Sequence, residues 1–327
     1  MKHANGERAI VVGAGISGLS CAHELLAAGF EVEVWAREPA TRSVSTVAAA
    51  FWYPYQVDPP ERVLEWARRA YQRFCELARR PATGVTLHEA IEVFPAAAAR
   101  PLWADAVPDF RDARPEELPP GRTHGFCFTA PVIETPIYAP WLRAEVERAG
   151  GRFVARELRS LAPALEAAPV VVNASGLGAR ELVGDTRVHP VRGQIMSIEN
   201  PGLARVLVDE HGPDGIAYVV PRSGDCVLGG TFEPDVPHTA PDPAAREAIL
   251  ERCRALEPAL ASAALREDKV GLRPCRDAVR LELEEVDDGR VIAHDYGHGG
   301  AGVTLSWGCA GELVDLLVAR ARRQRSA

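Results

Sequence analysis

Two glycine-rich strings hold the residues of this sequence best suited to chemistry. The first, Gly13-Ala14-Gly15-Ile16-Ser17-Gly18, is a G-x-G-x-x-G pattern. That spacing serves a pyrophosphate: the first glycine permits a tight turn, the second lets phosphates reach the backbone, and the third lets a helix pack closely on a strand. The second string runs His294-Asp295-Tyr296-Gly297-His298-Gly299-Gly300-Ala301-Gly302-Val303-Thr304. A helix cap needs one glycine, whereas this density implies something large lying against the backbone. A helix starting near Thr304, with that hydroxyl, would suit the N1–C2=O edge of a flavin, where negative charge gathers on reduction.

Both strings need strands and helices to hold them. Ala9-Ile10-Val11-Val12 reads as a strand buried on both faces. Apolar residues then recur at helical spacing from Ile16 until Gly29 stops the helix, and residues 30–35 alternate as a second strand. The result is a β-α-β unit whose helix aims unpaired N–H groups at phosphates. Arg37 and Glu38 follow the second strand, and either could meet the adenosine. The glycine loop alone leaves NAD and FAD open. Ser43-Val44-Ser45-Thr46-Val47-Ala48-Ala49-Ala50-Phe51-Trp52-Tyr53-Pro54, with its hydroxyls and small residues, suits a segment threading along an extended cofactor and favours FAD. Further on, the pattern predicts helices over 61–80, 140–149, 243–264 and 304–322. Residues 170–173 read as a strand running into a small-residue turn at Gly176, and 290–294 as another strand. A hairpin is expected to join 215–221 to 226–232, and 95–122 reads as loop with short helices.

A chain of 327 residues, 47% hydrophobic and 25% charged, suits a globular enzyme of two domains. A net charge of −8 argues against nucleic acid. No uninterrupted apolar run approaches about 18 residues, so no membrane span is expected. The N-terminus lacks a signal-peptide layout and the C-terminus a peroxisomal tripeptide, so a cytoplasmic location is expected. The seven cysteines form no C-x-x-C pair, so neither a metal site nor a disulfide framework is expected. Oligomeric state, a homodimer included, is left open.

The string from Val291 to Ala310 closely resembles the signature of the D-amino-acid oxidase family. Other segments agree in order: residues 47–54, Glu134-Thr135-Pro136, residues 172–176, Arg192-Gly193-Gln194-Ile195, Tyr218-Val219-Val220-Pro221, and Gly271-Leu272-Arg273-Pro274 through Glu282. The resemblance spans nearly the whole chain. It implies an α/β fold, with a Rossmann-like FAD-binding domain (1–55, 140–195, 272–327) interleaved with a mixed β-sheet substrate-binding domain (56–139, 196–271). FAD would be held by Gly13, Ala14, Gly15, Ile16, Ser17, Gly18, Arg37 or Glu38, Ser45, Thr46, Ala49, Gly176, Gly299, Gly300, Gly302, Val303 and Thr304. Arg280 is implied as the guanidinium forking onto the substrate carboxylate, although Arg276, Glu282 and Glu284 crowd it and a surface ion pair stays open. Tyr218 would assist it, and the Gly300 carbonyl would accept the substrate amine.

The implied reaction oxidises mainly neutral D-amino acids by hydride transfer to FAD, with no side-chain base assigned. Dioxygen is reduced to hydrogen peroxide, and the imino acid hydrolyses to a 2-oxo acid and ammonia. Three alternatives stay open. A D-aspartate oxidase would need a second cation, for which Arg222 and His211 are candidates. A glycine or sarcosine oxidase fits the string around Tyr296 less well, and a non-enzymatic FAD-binding protein would have no use for the substrate residues. The stretch 210–217 is short and lacks a tyrosine, which predicts an open entrance.

Overall fold

Ala9-Ile10-Val11-Val12 carries no polar side chain to keep solvated, and in the computed structural model, which describes residues 6–38, 43–54 and 58–326, it becomes β1 (Arg8–Val12), buried from Ala9 onward. Gly13 ends the strand at φ +116°, where a Cβ would lie 2.8 Å from the carbonyl carbon of Ala174. α1 (Ile16–Ala28) follows and stops at Gly29, whose φ of 95° is the left-handed cap. β2 (Glu31–Ala36) returns parallel to β1, with Val34 opposite Val11.

The remaining strands are β3 (Val85–Phe94), β4 (Arg111–Asp112), β5 (His124–Ile133), β6 (Arg152–Ala155), β7 (Val170–Asn173), β8 (His189–Ile198), β9 (Val206–Asp209), β10 (Ala217–Pro221), β11 (Cys226–Gly229), β12 (Glu233–Pro234), β13 (Leu265–Glu285) and β14 (Val291–His298). The remaining helices are α2 (Pro60–Leu77), α3 (Thr135–Arg148), α4 (Ala162–Ala167), α5 (Ala179–Leu182), α6 (Pro243–Leu256) and α7 (Gly302–Ser326). Among the described residues the strands join one sheet, ordered β4-β5-β3-β9-β10-β11-β8-β13-β14-β7-β1-β2-β6, with β12 paired to β8. The run β14-β7-β1-β2-β6 is parallel. β13 links it to the rest, pairing β8 along its first part and β14 along its second.

α7 passes a membrane span's test of length and composition, yet it is mostly buried. Leu305, Cys309, Leu313 and Leu317 lie in the core. α2 crosses it closely enough that a Cβ on Gly308 would stand 2.5 Å from the carbonyl carbon of Trp66.

Several expectations need correction. The helix expected from 140 opens at Thr135 with a proline in its first turn, so position 140 is inside a helix and begins none. The carbonyl that the missing N–H of Pro140 would have sought belongs to Pro136 in the exposed first turn, where solvent can satisfy it. The helix expected over 243–264 breaks at Glu257, where Pro258 cannot continue it and a 3₁₀ turn follows. The strand expected over 290–294 continues to His298, because β13 supplies partners as far as Cys275. The expected hairpin forms, with Tyr218 opposite Gly229. The boundary expected at 55/56 lies outside the described residues.

Candidate active site

The carboxyl ends of β1, β2, β7 and β14 open onto a cavity of about 590 Å³, the place where parallel α/β sheets take their ligands. Gly13, Ala14, Gly15, Ile16 and Ser17 line it. A Cβ on Gly15 would meet only Ser45 Oγ, at 3.4 Å, so this glycine keeps the cavity open. Gly18 does not line it. A Cβ there would lie 2.9 Å from the carbonyl carbon of Gly13, so its part is to let α1 pack on the turn. The N-cap residue Gly15 has no side chain to accept from α1, the first turn has no acidic residue, and Ile16 N–H donates to Ser45 Oγ at 3.3 Å. An anion is favoured at that helix end.

Arg37 and Glu38 both line the cavity, with the guanidinium 3.5 Å from both Glu38 and Glu157. Ser45, Ala49 and Gly176 line it as expected. Thr46 does not, because its hydroxyl turns back to donate to Ser43 O at 2.8 Å inside a 3₁₀ turn. Ser43, Val44 and Val47 present themselves instead.

At the other glycine string, Gly299, Gly300, Gly302, Val303 and Thr304 line the cavity at the start of α7. The Thr304 hydroxyl is already engaged: it donates to Tyr53 O at 3.2 Å and accepts Tyr53 N–H at 3.4 Å. It therefore ties the 43–54 segment to α7, and the helix N-terminus supplies the positive potential. A cavity open at Gly15, bounded by small residues and ended by two helix N-termini fits the pyrophosphate and ring of FAD.

Beyond the flavin end stand Tyr218 and Arg273. The Tyr218 ring rests on Gly229 and Gly230, and a Cβ on Gly230 would lie 2.8 Å from its hydroxyl. Arg273 donates to the carbonyls of Thr231 (3.0 Å) and Arg192 (3.3 Å), and no carboxylate among the described residues pairs with it. Burial pushes the Tyr218 phenol up, and the neighbouring Arg273 pulls it back.

Arg280 is elsewhere. It does not line the cavity, and its guanidinium is used up by Glu282 (2.7 Å), Glu284 (2.9 Å) and the hydroxyl of Tyr296 (2.9 Å). The assignment of Arg280 to the substrate carboxylate is therefore corrected: Arg273, seven positions earlier on the same strand, is the guanidinium that faces the cavity. His294 and His298 are likewise engaged, by Glu284 at 3.0 Å and Asp295 at 2.9 Å.

Sequence reasoning passed over Arg273, the glycines beneath it and beneath Tyr218, and Glu210, which also lines the cavity. A signal was present. Arg280 has acidic residues both two and four positions on, ready partners on one face of a strand. Arg273 sits between Leu272 and Pro274 with no acidic residue two positions to either side and only Asp277 four positions on.

A Rossmann-type unit whose two glycine strings frame one cavity defines a flavin-dependent oxidoreductase. Residues 8–316 match the family described as FAD dependent oxidoreductase, and the chain belongs to that family. It is 54% identical over 310 residues to the D-amino-acid oxidase of Rubrobacter xylanophilus, covering 94% of this chain and 95% of that protein. The D-amino-acid oxidase of Streptomyces coelicolor is 44% identical over the same shares. The D-aspartate oxidase of Homo sapiens is 34% identical, covering 95% of this chain and 94% of that one. Among solved structures, glycine oxidase from Geobacillus kaustophilus superposes with a TM-score of 0.78 at 22% identity, over 96% of this chain and 95% of that one, a likeness of fold. The protein is an enzyme that uses FAD.

Proposed function

We propose that the chain is a D-amino-acid oxidase. The observation that carries this reading is the Arg273 guanidinium, without a carboxylate partner among the described residues, beside Tyr218 in the flavin cavity. A planar cation held by carbonyls and a neutral phenol, with no carboxylate among the described residues, is matched to a ligand carboxylate, which it can fork through two parallel hydrogen bonds. The Tyr218 hydroxyl, kept protonated by burial, donates to the same carboxylate. The Gly300 carbonyl at the start of α7 takes a hydrogen bond from the substrate amine, fixing the α-carbon between the two. FAD, held by the residues of the two glycine strings, would supply the oxidant for removing a hydride from the α-carbon, with dioxygen as the final electron acceptor. The product imine then hydrolyses in water to a 2-oxo acid and ammonia. The similarity to two D-amino-acid oxidases supports the handedness.

D-aspartate is disfavoured as the main substrate. Arg222, a candidate second cation, is held by Asp225 at 2.6 and 2.7 Å, and His211 stacks on Phe94 at 4.8 Å. Neither lines the cavity. A peroxide-coupled screen of D- and L-amino acids, glycine, sarcosine and D-aspartate tests the reading. Peroxide with neutral D-amino acids is expected, and peroxide with glycine or L-amino acids alone would overturn it.

A further inference from the structure

The cavity wall beside Tyr218 carries a carboxylate that the proposed reaction does not use. β9 and β10 pair so that Val208 stands opposite Tyr218 and Asp209 opposite Ala217. Side chains two positions apart share a face of a sheet. One step along, Glu210 and Ile216 therefore join Val208 and Tyr218, and all four line the cavity. Only burial and the like charges of Glu92 and Asp209 act on Glu210, and they raise its carboxyl to about 8. Asp209 has its own cation, accepting from Arg122 Nε at 2.8 Å.

Glu92 has none comparable. It is 4% exposed, its Oε1 accepts the Tyr53 hydroxyl at 2.5 Å, and its Oε2 has no hydrogen-bond partner among the described residues. The imidazole of His211 stands off at 4.0 Å. Tyr53 itself lines the cavity, so the buried pair abuts the ligand space. The cavity is thus polarised. Arg273 offers a cation on one wall, and Glu210, backed by Glu92, offers carboxyls that no cation of the described chain holds ionised, so a ligand's own cation would be the group that stabilises their charge. Carboxyls in that state ionise beside a ligand that brings a cation and disfavour one that brings another anion.

We propose that Glu210, backed by Glu92, makes the side-chain end of this cavity select D-amino acids ending in an ammonium or guanidinium over neutral isosteres, and both over acidic ones. This rests on the reading of the site as that of a D-amino-acid oxidase. The substrate's α-carboxylate goes to Arg273, and its side-chain cation goes to Glu210.

The test uses the flavin-bound enzyme and the variants Glu210→Gln and Glu210→Arg. D-lysine, D-norleucine and D-glutamate are compared by kcat/KM. Three acids without an α-amine (6-aminohexanoate, hexanoate and adipate) are compared by calorimetric dissociation constant. The wild type should rank cation, neutral, anion in both series. Glu210→Gln should lower the D-lysine to D-norleucine ratio by about tenfold or more, and Glu210→Arg should reverse the order of the two charged ligands. A ratio that moves less than roughly twofold in both variants, or a wild type that prefers the acidic ligands, would overturn the proposal. If no D-amino acid turns over, D-alanine included, the reaction reading falls, and the binding order of the three acids still decides the role of Glu210.

Discussion

The guanidinium of Arg273 lies across Gly193, so close that a Cβ on that glycine would stand 2.5 Å from the guanidinium carbon. Gly193 and Arg273 sit on the neighbouring strands β8 and β13, where Gly271 is the residue opposite Gly193. The bare patch on one strand is thus the seat for the cation on the next. The seat of this guanidinium is built on a pair of strands, with the carbonyl of Thr231 holding its edge.

Arg273→Ala should weaken binding of a D-amino acid by roughly 2–5 kcal/mol, read as a rise in KM with FAD still bound. Arg280→Ala should leave KM near the wild-type value. Losing the bonds to Tyr296, Glu282 and Glu284 should instead cost about 1 kcal/mol of stability, read as a lower Tm. The opposite split between the two variants would restore Arg280 to the site.

Gly193→Ala should push the Arg273 side chain aside without removing it. Because small misplacements of a positioning group are costly, kcat/KM should fall by about tenfold or more while flavin content stays unchanged. Wild-type kinetics would mean that the guanidinium has another seat.

Gly15 has an extended backbone, φ −71° and ψ 176°, that any residue can adopt. Gly15→Val should therefore fold, with circular dichroism like the wild type, yet reach into the space where the pyrophosphate lies. Purified protein should carry much less FAD per chain. A fully yellow variant would contradict the placement.

The β-α-β unit was legible because an apolar run, a helical period and glycines at fixed spacing all agree on one short segment. β13 was not. Its sequence, Leu265-Arg266-Glu267-Asp268-Lys269 onward, is charged and half-buried along most of its length, since a strand lying between two differently built regions needs no continuous apolar face. The two arginines illustrate the limit at the site. Between Cys275 and Arg280 the register with β14 shifts, so counting residues does not tell which of Arg273 and Arg280 faces the cavity. Carrying a role across by resemblance settled on the wrong one, and the partners of each guanidinium correct it. Thr46 failed for a local reason, a 3₁₀ turn that reverses its hydroxyl.

Burial raises the Glu92 carboxyl to about 7, with the Tyr53 hydroxyl pulling the other way. Glu210 and His211 also face it. A carboxyl raised in the folded state binds its proton more tightly there than when unfolded. Its protonated form therefore favours the fold at low pH, and that advantage is lost as pH rises from the unfolded value near 4.5 through about 7. Tm should fall across that window by the equivalent of up to ~3 kcal/mol. Glu92→Gln should flatten the profile and raise Tm at pH 8. An unchanged slope would mean that Glu92 is ionised throughout.

The most direct measurement is anaerobic mixing of the flavin-bound enzyme with D-alanine and, separately, L-alanine, following loss of the yellow absorbance. Rapid bleaching with D-alanine alone, slowed at equal concentration in Arg273→Ala, is the predicted result. Bleaching by L-alanine in preference to D-alanine, or an Arg273→Ala variant as fast as wild type, would contradict the account.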